Sequence, residues 1–190
     1  MKYSFTRLSA LFSTVLVTAS TGYAEPLVVG IYKLTPQNTQ VDFAIDNFWG
    51  LITTRGKFVA LHGDLAFAEQ WQNSRVDVTI ETKSIDTNIG KRDEHLRSAD
   101  YFAVDIYPTM HFRSTKVSGS PEAFEIEGLL TLKAVAKTVI LKGSLDKAVA
   151  EVTASTTINR QDFGVTLGGK GLSDEVLIEL KVRPNSTFDK

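Results

Sequence analysis

The chain has 190 residues, a formal net charge of -1 and no cysteine. This length suits one domain, and a hydrophobic fraction of 43% can supply its core. Because 21 Lys and Arg residues are interspersed with 22 Asp and Glu residues, no basic stripe of the kind that binds nucleic acid stands out. The lack of cysteine excludes thiol catalysis, Cys-ligated zinc, iron–sulfur clusters and covalently attached c-type haem.

The N-terminal residues have the order of a secretory signal peptide. Lys2 and Arg7 supply a positive region, and residues 8–19 are apolar or small. The small residues Gly22 and Ala24 occupy the two positions that a signal peptidase reads. The apolar run is too short and too rich in Ser and Thr to span about 30 Å of hydrocarbon. We therefore expect a signal peptide over residues 1–24, cleaved after Ala24, and a single exported domain over residues 25–190.

A period of two dominates the rest of the chain and predicts β-strands with one apolar face. Strands are predicted at 41–46, 55–67, 76–81, 110–114, 124–128, 136–146, 154–158 and 176–181. Turn residues separate them at 35–38, 72–74, 118–121 and 168–171. The pattern indicates an all-β protein.

One segment breaks the alternation. Residues 91–102 are charged and lack Pro and Gly, which predicts a short helix whose apolar residues, chiefly Leu96 and Phe102, face the sheet. About eight one-sided strands and one helix leave two architectures, a two-sheet sandwich and a closed barrel. Regular hairpin spacing favours the barrel, whose interior can be filled by side chains or can hold one small ligand.

No catalytic or metal-binding motif is recognisable. His62, His95 and His111 show no metal-ligand spacing, and the chain contains neither HExxH nor GxSxG. The glycine-rich stretch 168–171 lacks the spacing of a phosphate-binding loop. We expect no enzyme activity, no metal and no cofactor. The strand aromatics leave two interpretations open, ordinary core packing and the wall of a tunnel for an apolar ligand.

Several short motifs occur together in one order and resemble the YceI-like family of polyisoprenoid-binding, lipocalin-like bacterial proteins. The resemblance runs from about Tyr32 to Val182, nearly the whole expected mature chain. The motifs are Ser84-Ile85-Asp86-Thr87, Lys91-Arg92-Asp93-Glu94-His95-Leu96, Asp100-Tyr101-Phe102, Tyr107-Pro108, Phe112-Arg113-Ser114, Gly128-Leu129-Leu130-Thr131-Leu132, Asn159-Arg160-Gln161-Asp162-Phe163-Gly164 and Asp174-Glu175-Val176.

The resemblance implies an eight-stranded antiparallel lipocalin-like barrel with the helix over one end. It also implies a hydrophobic tunnel for a polyprenyl or other long-chain amphiphile, a periplasmic location, frequent homodimers and no shared catalytic activity. Tunnel-lining residues are then expected to be Phe43, Ile45, Phe58, Val78, Ile80, Phe112, Phe124, Ile126, Ile158, Phe163 and Ile178. Residues of the tunnel mouth or its structural anchors are expected to be Asn47, Trp49, Arg92, Asp93, Arg160 and Asp162.

This chain departs from the family pattern at the first turn. Asn47 stands where the family usually has His, and Phe48-Trp49-Gly50 follows it. Ala134-Val135-Ala136 replaces the usual Gly-Val-Thr. The expected function is binding, transport or storage of a long-chain lipid. The alternatives are an accessory protein that acts through a protein partner, with lipid only structural, and an uncharacterised hydrolase or isomerase.

Overall fold

The computed structural model describes residues 29–169 and 171–184, so the expected signal peptide lies outside the described residues. Within them, eleven strands pair antiparallel in one sheet. The strands are β1 Gly30–Leu34, β2 Thr39–Asn47, β3 Ile52–Phe58, β4 Leu61–Phe67, β5 Arg75–Glu81, β6 Ile85–Asp86, β7 Thr109–Ser120, β8 Ala123–Leu132, β9 Val135–Asp146, β10 Glu151–Asn159 and β11 Glu175–Val182. Helix α1 spans Gly90–Arg97, and 3-10 turns span Trp71–Asn73, Thr82–Ser84 and Arg160–Phe163.

The sheet closes on itself through two bent strands. The pairing order runs β1-β4-β5-β7-β8-β9-β10-β11-β2-β3-β6. Strand β6 continues β5 after one 3-10 turn, while β3 continues into β4 through Val59 and Ala60. At the bend, the backbone N–H of Glu81 donates to Ala60 O at 2.9 Å and that of Val59 to Ser84 O at 3.2 Å. The result is the predicted antiparallel barrel of lipocalin type, with β1 added beside β4.

The strand count differs from the eight that the sequence predicts, for local reasons. The predicted strand 55–67 is divided at Val59 and Ala60, where the chain bends to follow the barrel. The two-residue strand β6 is too short to show alternation. Strand β1 is not predicted, because its outward-facing Ile31 is apolar although exposed, so apolar and polar residues do not alternate along it.

Helix α1 is shorter than the predicted 91–102. It begins at Gly90 and ends at Arg97, because Ser98 adopts an extended conformation and its N–H donates to His95 O. Residues 99–102 continue as turns. Leu96 and Phe102 still pack against the core, as predicted.

An aromatic cluster fills one end of the barrel. Tyr32 meets Phe67 edge-on with ring centroids 5.6 Å apart, Phe67 stacks on Trp71 at 5.9 Å, and Trp71 lies 5.5 Å from Phe124. The cluster lies beside the β7–β8 hairpin, where the Gln72 side chain donates to Gly119 O at 3.2 Å. Side chains therefore make this end solid, and any open space must lie toward the other end.

Candidate functional site

The opposite part of the barrel encloses a cavity of about 540 Å³, within the range of roughly 300–1,000 Å³ that small-molecule sites occupy. Its wall comes mainly from the inward faces of the strands, with helix α1 and the turns after it completing one side. Most of the lining residues are apolar, so the interior offers an extended hydrophobic surface.

The cavity exists because inward side chains do not meet across the barrel. Phe43, Ile45, Val78, Ile158 and Ile178 all line the cavity. Each is only half-buried, although each is on the inward face of its strand. Their remaining exposed surface borders the empty space, and that apolar surface is what a ligand would cover.

Eight of the eleven residues expected to line a tunnel are in the cavity wall. They are Phe43, Ile45, Phe58, Val78, Ile80, Phe112, Ile158 and Ile178.

Phe124, Ile126 and Phe163 are buried but lie outside the wall, which corrects the expectation for these three. Phe124 belongs to the aromatic cluster. Ile126 is two residues further along the same inward face of β8, still in the solid part. Phe163 lies in the 3-10 turn after β10, where the strand alternation has ended and the side chain turns into the packed core.

On strands β7 and β8, Phe112 marks the boundary between the hollow and the solid part. A Cβ atom placed on Gly128 would lie 2.3 Å from Cζ of Phe112. The ring therefore occupies the space that a side chain at position 128 would need, and only glycine fits there. On the neighbouring strand β8, Leu130 and Leu132 lie on the mouth side of this boundary and line the cavity. Ile126 lies on the other side and does not.

The cavity opens at the end opposite to the aromatic cluster. Among its described lining residues, three are also solvent-exposed: Phe48, His95 and Gly169. They come from the β2–β3 turn, helix α1 and the loop between β10 and β11. The mouth lies between these three segments.

Arg92 and Asp93 anchor the helix beside the mouth. Asp93 is buried, and its Oδ1 accepts hydrogen bonds from the backbone N–H of Thr87, at 2.9 Å, and from the Thr87 hydroxyl. Arg92 donates from Nε to Thr87 Oγ1 at 2.7 Å and from Nη2 to Thr87 O at 2.8 Å. Arg92 also lines the cavity, but its guanidinium is already committed to Thr87. The expected anchoring role thus agrees with the contacts of both residues.

Arg160 holds the mouth loop in place. Its buried guanidinium donates to the backbone oxygens of Ser173, Val165 and Leu167 at 2.9, 2.6 and 2.9 Å, and to Asp174 Oδ1 at 2.8 Å. Asp162, in contrast, is exposed and makes no hydrogen bond or ion pair with the described residues. Its expected anchoring role is not seen, because the 3-10 turn directs it outward.

The β2–β3 turn provides the remaining expected mouth residues. Asn47 lines the cavity and donates from Nδ2 to Thr54 Oγ1 at 2.6 Å. Trp49 does not line the cavity and is 78% exposed. Its indole stands on the outside of the mouth, next to Phe48.

Part of the wall comes from residues that were not among the predicted lining. Val176 and Leu180 share the inward face of β11 with Ile178, so the same alternation could have found them. Tyr101 and Phe102 also line the cavity. They follow the helix in irregular turns, where no periodic signal reports which way a side chain points.

Charges lie mainly on the outer surface. Asp42 pairs across the strands with Lys57 and Glu179. Burial and the neighbouring Glu179 raise the pKa of Asp42, while Lys57 and Lys181 oppose this effect. His111 Nε2 lies 2.7 Å from Asp77 Oδ1, also on the outer face. Within residues 29–169 and 171–184, no group of three or more His, Asp or Glu is placed to hold a metal ion.

Helix α1 has eight residues, and across the described part of the chain no helix is long and apolar enough to cross a membrane.

Comparisons with known proteins agree with this architecture. A family model described as the YceI-like domain matches residues 32–183. A UPF0312 protein of Pseudomonas aeruginosa is 34% identical over 155 residues, which cover 77% of this chain and 81% of that protein. Protein YceI of Salmonella agona is 33% identical over 186 residues, which cover 92% of this chain and 94% of the relative.

Solved structures share the fold. BcnA of Burkholderia cenocepacia superposes with a TM-score of 0.69 at 22% identity, covering 76% of this chain and 94% of BcnA. The YceI protein of Campylobacter jejuni gives a TM-score of 0.63 at 25% identity, covering 73% and 88%. A polyisoprenoid-binding domain from Saccharophagus degradans gives 0.58 at 14% identity, covering 83% of this chain and 100% of that domain.

Proposed function

The chain belongs to the YceI-like family, and we propose that it binds one long-chain isoprenoid, or a related amphiphilic lipid, inside the barrel. In this proposal it carries or stores that lipid in the periplasm and catalyses no reaction. The observation that carries the proposal is the apolar cavity of about 540 Å³ that is open at one end.

The driving force for binding would be hydrophobic. Transfer of apolar surface from water contributes about 0.8 kcal/mol for each buried CH₂ group, less the entropy of ordering a flexible chain. The half-buried wall residues Ile158, Val78 and Ile178 are the surface that a lipid tail would complete. We therefore expect the affinity to rise with the length of the apolar tail until the cavity is full.

Head-group selectivity is expected to be weak. Two polar side chains at the mouth, Asn47 and Arg92, already have partners in Thr54 and Thr87. The third, the exposed His95, has its Nε2 3.8 Å from Asp100 Oδ2. A head group would have to compete with these contacts, so it would orient the lipid more than it would select it.

The periplasmic location rests on the N-terminal sequence. Residues 1–24 have the order of a cleavable signal. Export predicts a mature protein that begins at Glu25 and is released by osmotic shock, as N-terminal sequencing would detect. A full-length chain retained in the cytoplasm would contradict this part of the proposal.

Lipid binding can be tested with two variants of adjacent residues. Ile178 faces the cavity, whereas Leu177, next to it on β11, is exposed on the outer surface. Ile178→Trp should narrow the cavity, and Leu177→Trp makes a comparable enlargement outside it. We expect organic extracts of purified protein to contain lipid, and delipidated protein to take up a polyprenyl phosphate.

Ile178→Trp should weaken uptake at least tenfold, while Leu177→Trp should bind like the wild type. Circular dichroism would check that both variants fold. The proposal fails if no lipid is extracted and the delipidated protein takes up no polyprenyl phosphate. It also fails if the two Trp variants bind the lipid equally.

A further inference from the structure

The turn between β2 and β3 carries aromatic side chains at positions that disfavour them. The N–H of Gly50 donates to Asn47 O at 3.1 Å, which makes Phe48 and Trp49 the two central residues of a tight hairpin turn. Both have positive φ, 50° and 58°, as in the hairpin turns that favour Asn-Gly. For a bulky residue this conformation costs roughly 1–2 kcal/mol. Fold stability alone therefore does not explain the two aromatic residues.

These residues belong to a set of exposed apolar side chains carried by the turn, the start of β3 and the mouth loop. Phe48 is 56%, Trp49 78% and Leu51 83% exposed. Ile52, on the same hairpin, and Leu167, on the mouth loop, are also large and exposed. We call this set the apolar rim; it consists of Phe48, Trp49, Leu51, Ile52 and Leu167.

The apolar rim is held as part of the cavity mouth. The N–H of Trp49 donates to Gly171 O at 3.1 Å, and the N–H of Ser173 donates to Asp46 O at 2.8 Å, so the turn and the mouth loop are linked. A Cβ atom on Gly171 would lie only 3.1 Å from the Trp49 ring, which shows how closely the indole covers the loop. Phe48 both lines the cavity and belongs to the apolar rim, so apolar surface continues from the interior to the outside.

We propose that the apolar rim inserts into the surface of a phospholipid bilayer, so that the cavity mouth opens directly onto the acyl layer. This inference rests on the proposed lipid-binding function, because an apolar ligand that leaves a membrane must otherwise cross water. Tryptophan suits such a boundary, since its ring is apolar and its N–H remains able to hydrogen-bond. A protruding hairpin tip is also a poor match for a stable protein interface, which needs a face of about 800 Å² on each partner.

Charge contributes little to this docking. The full chain has a net charge of -1, and Asp46, beside the turn, accepts a hydrogen bond from Thr53 at 2.7 Å. Insertion of apolar side chains should therefore depend weakly on salt and on the content of anionic lipid, unlike adsorption of a basic surface.

The experiment uses the whole folded protein and vesicles of phosphatidylethanolamine and phosphatidylglycerol. The rim variant carries Trp49→Ser and Leu51→Ser. The control is Val149→Ser, because Val149 is exposed in the β9–β10 turn at the opposite end of the barrel. Wild type and control should sediment with the vesicles, and the rim variant should partition at least tenfold less. Lipids with brominated acyl chains should quench Trp49 and leave Trp71, within the aromatic cluster, unaffected.

Two further measurements separate this inference from the lipid-binding proposal. The cavity variant Ile178→Trp should still sediment with vesicles. The rim variant should bind a short, water-soluble polyprenyl phosphate as the wild type does, yet extract lipid from vesicles at least tenfold more slowly.

The inference is overturned if the wild type does not bind vesicles, or if the rim variant binds them equally well. Loss of the soluble ligand in the rim variant would also overturn it, since the rim would then be part of the ligand site. A wild-type dimer that the rim substitutions convert to monomers would assign the rim to a second copy of the chain instead.

Discussion

Ile126 and Ile178 form a matched pair that tests whether the barrel is hollow. Both point inward, but Ile126 is 9% exposed in the solid part, whereas Ile178 is half-buried in the cavity wall. Replacement by Ala removes the same atoms from each. In a packed core this substitution costs roughly 2–5 kcal/mol, from lost transfer free energy and a new cavity. At Ile178 part of the contact is already missing and little new void forms, so we expect about 1–2 kcal/mol.

Urea unfolding of delipidated protein measures both effects. With a slope of about 1–3 kcal/mol per molar urea, Ile126→Ala should lower the midpoint about twice as far as Ile178→Ala, with an unchanged slope. Bound lipid at a hundredfold excess over Kd should stabilise the wild type by about 2.7 kcal/mol, and Ile178→Ala by less, because it loses a contact with the ligand. Equal losses for the two variants without lipid would mean that the wall is packed, and would refute the hollow interior.

Two more predictions concern charged side chains. Arg160→Lys should lower the free energy of unfolding by about 2–3 kcal/mol and expose the mouth loop to limited proteolysis, because an ammonium cannot satisfy the four acceptors that surround the guanidinium; an unchanged cleavage pattern would argue against its role. Because the pKa of Asp42 is raised in the folded state, the wild type loses stability as pH rises from the unfolded to the folded pKa. Asp42→Asn should therefore raise the urea midpoint at pH 7 and raise it less at pH 3, where both states bind the proton; an equal gain at both would contradict this.

The period of two predicted most of the sheet because one buried face imposes it. Ile178 and Phe43, paired across β11 and β2, follow from that alternation and do line the cavity. Gly56 and Gly63 indicate a bend somewhere in 55–67, but its position at Val59 and Ala60 could not be predicted, since neither of these two residues is Gly or Pro. It is stabilised by hydrogen bonds to residues more than twenty positions away.

The division of the interior into a hollow and a solid part could not be predicted from the sequence either. Ile126 and Leu130 share one inward face of β8 with the same apolar character, yet only Leu130 borders the cavity. The difference arises from Tyr32 on β1, Phe67 on β4 and Trp71 in a 3-10 turn, whose rings contact one another in series and end at Phe124. Alternation reports which side of a strand is buried, but not whether another side chain or empty space lies opposite.

The ring of Phe112 closes the cavity on the side of β7 and β8. Because it rests where glycine leaves room at position 128, a smaller residue at position 112 would deepen the chamber without altering any strand. A related chain with a smaller residue there would have more room for a lipid tail beside β7 and β8. Position 112 would then help to set the length of lipid tail that the cavity accepts, while the rest of its wall stayed the same.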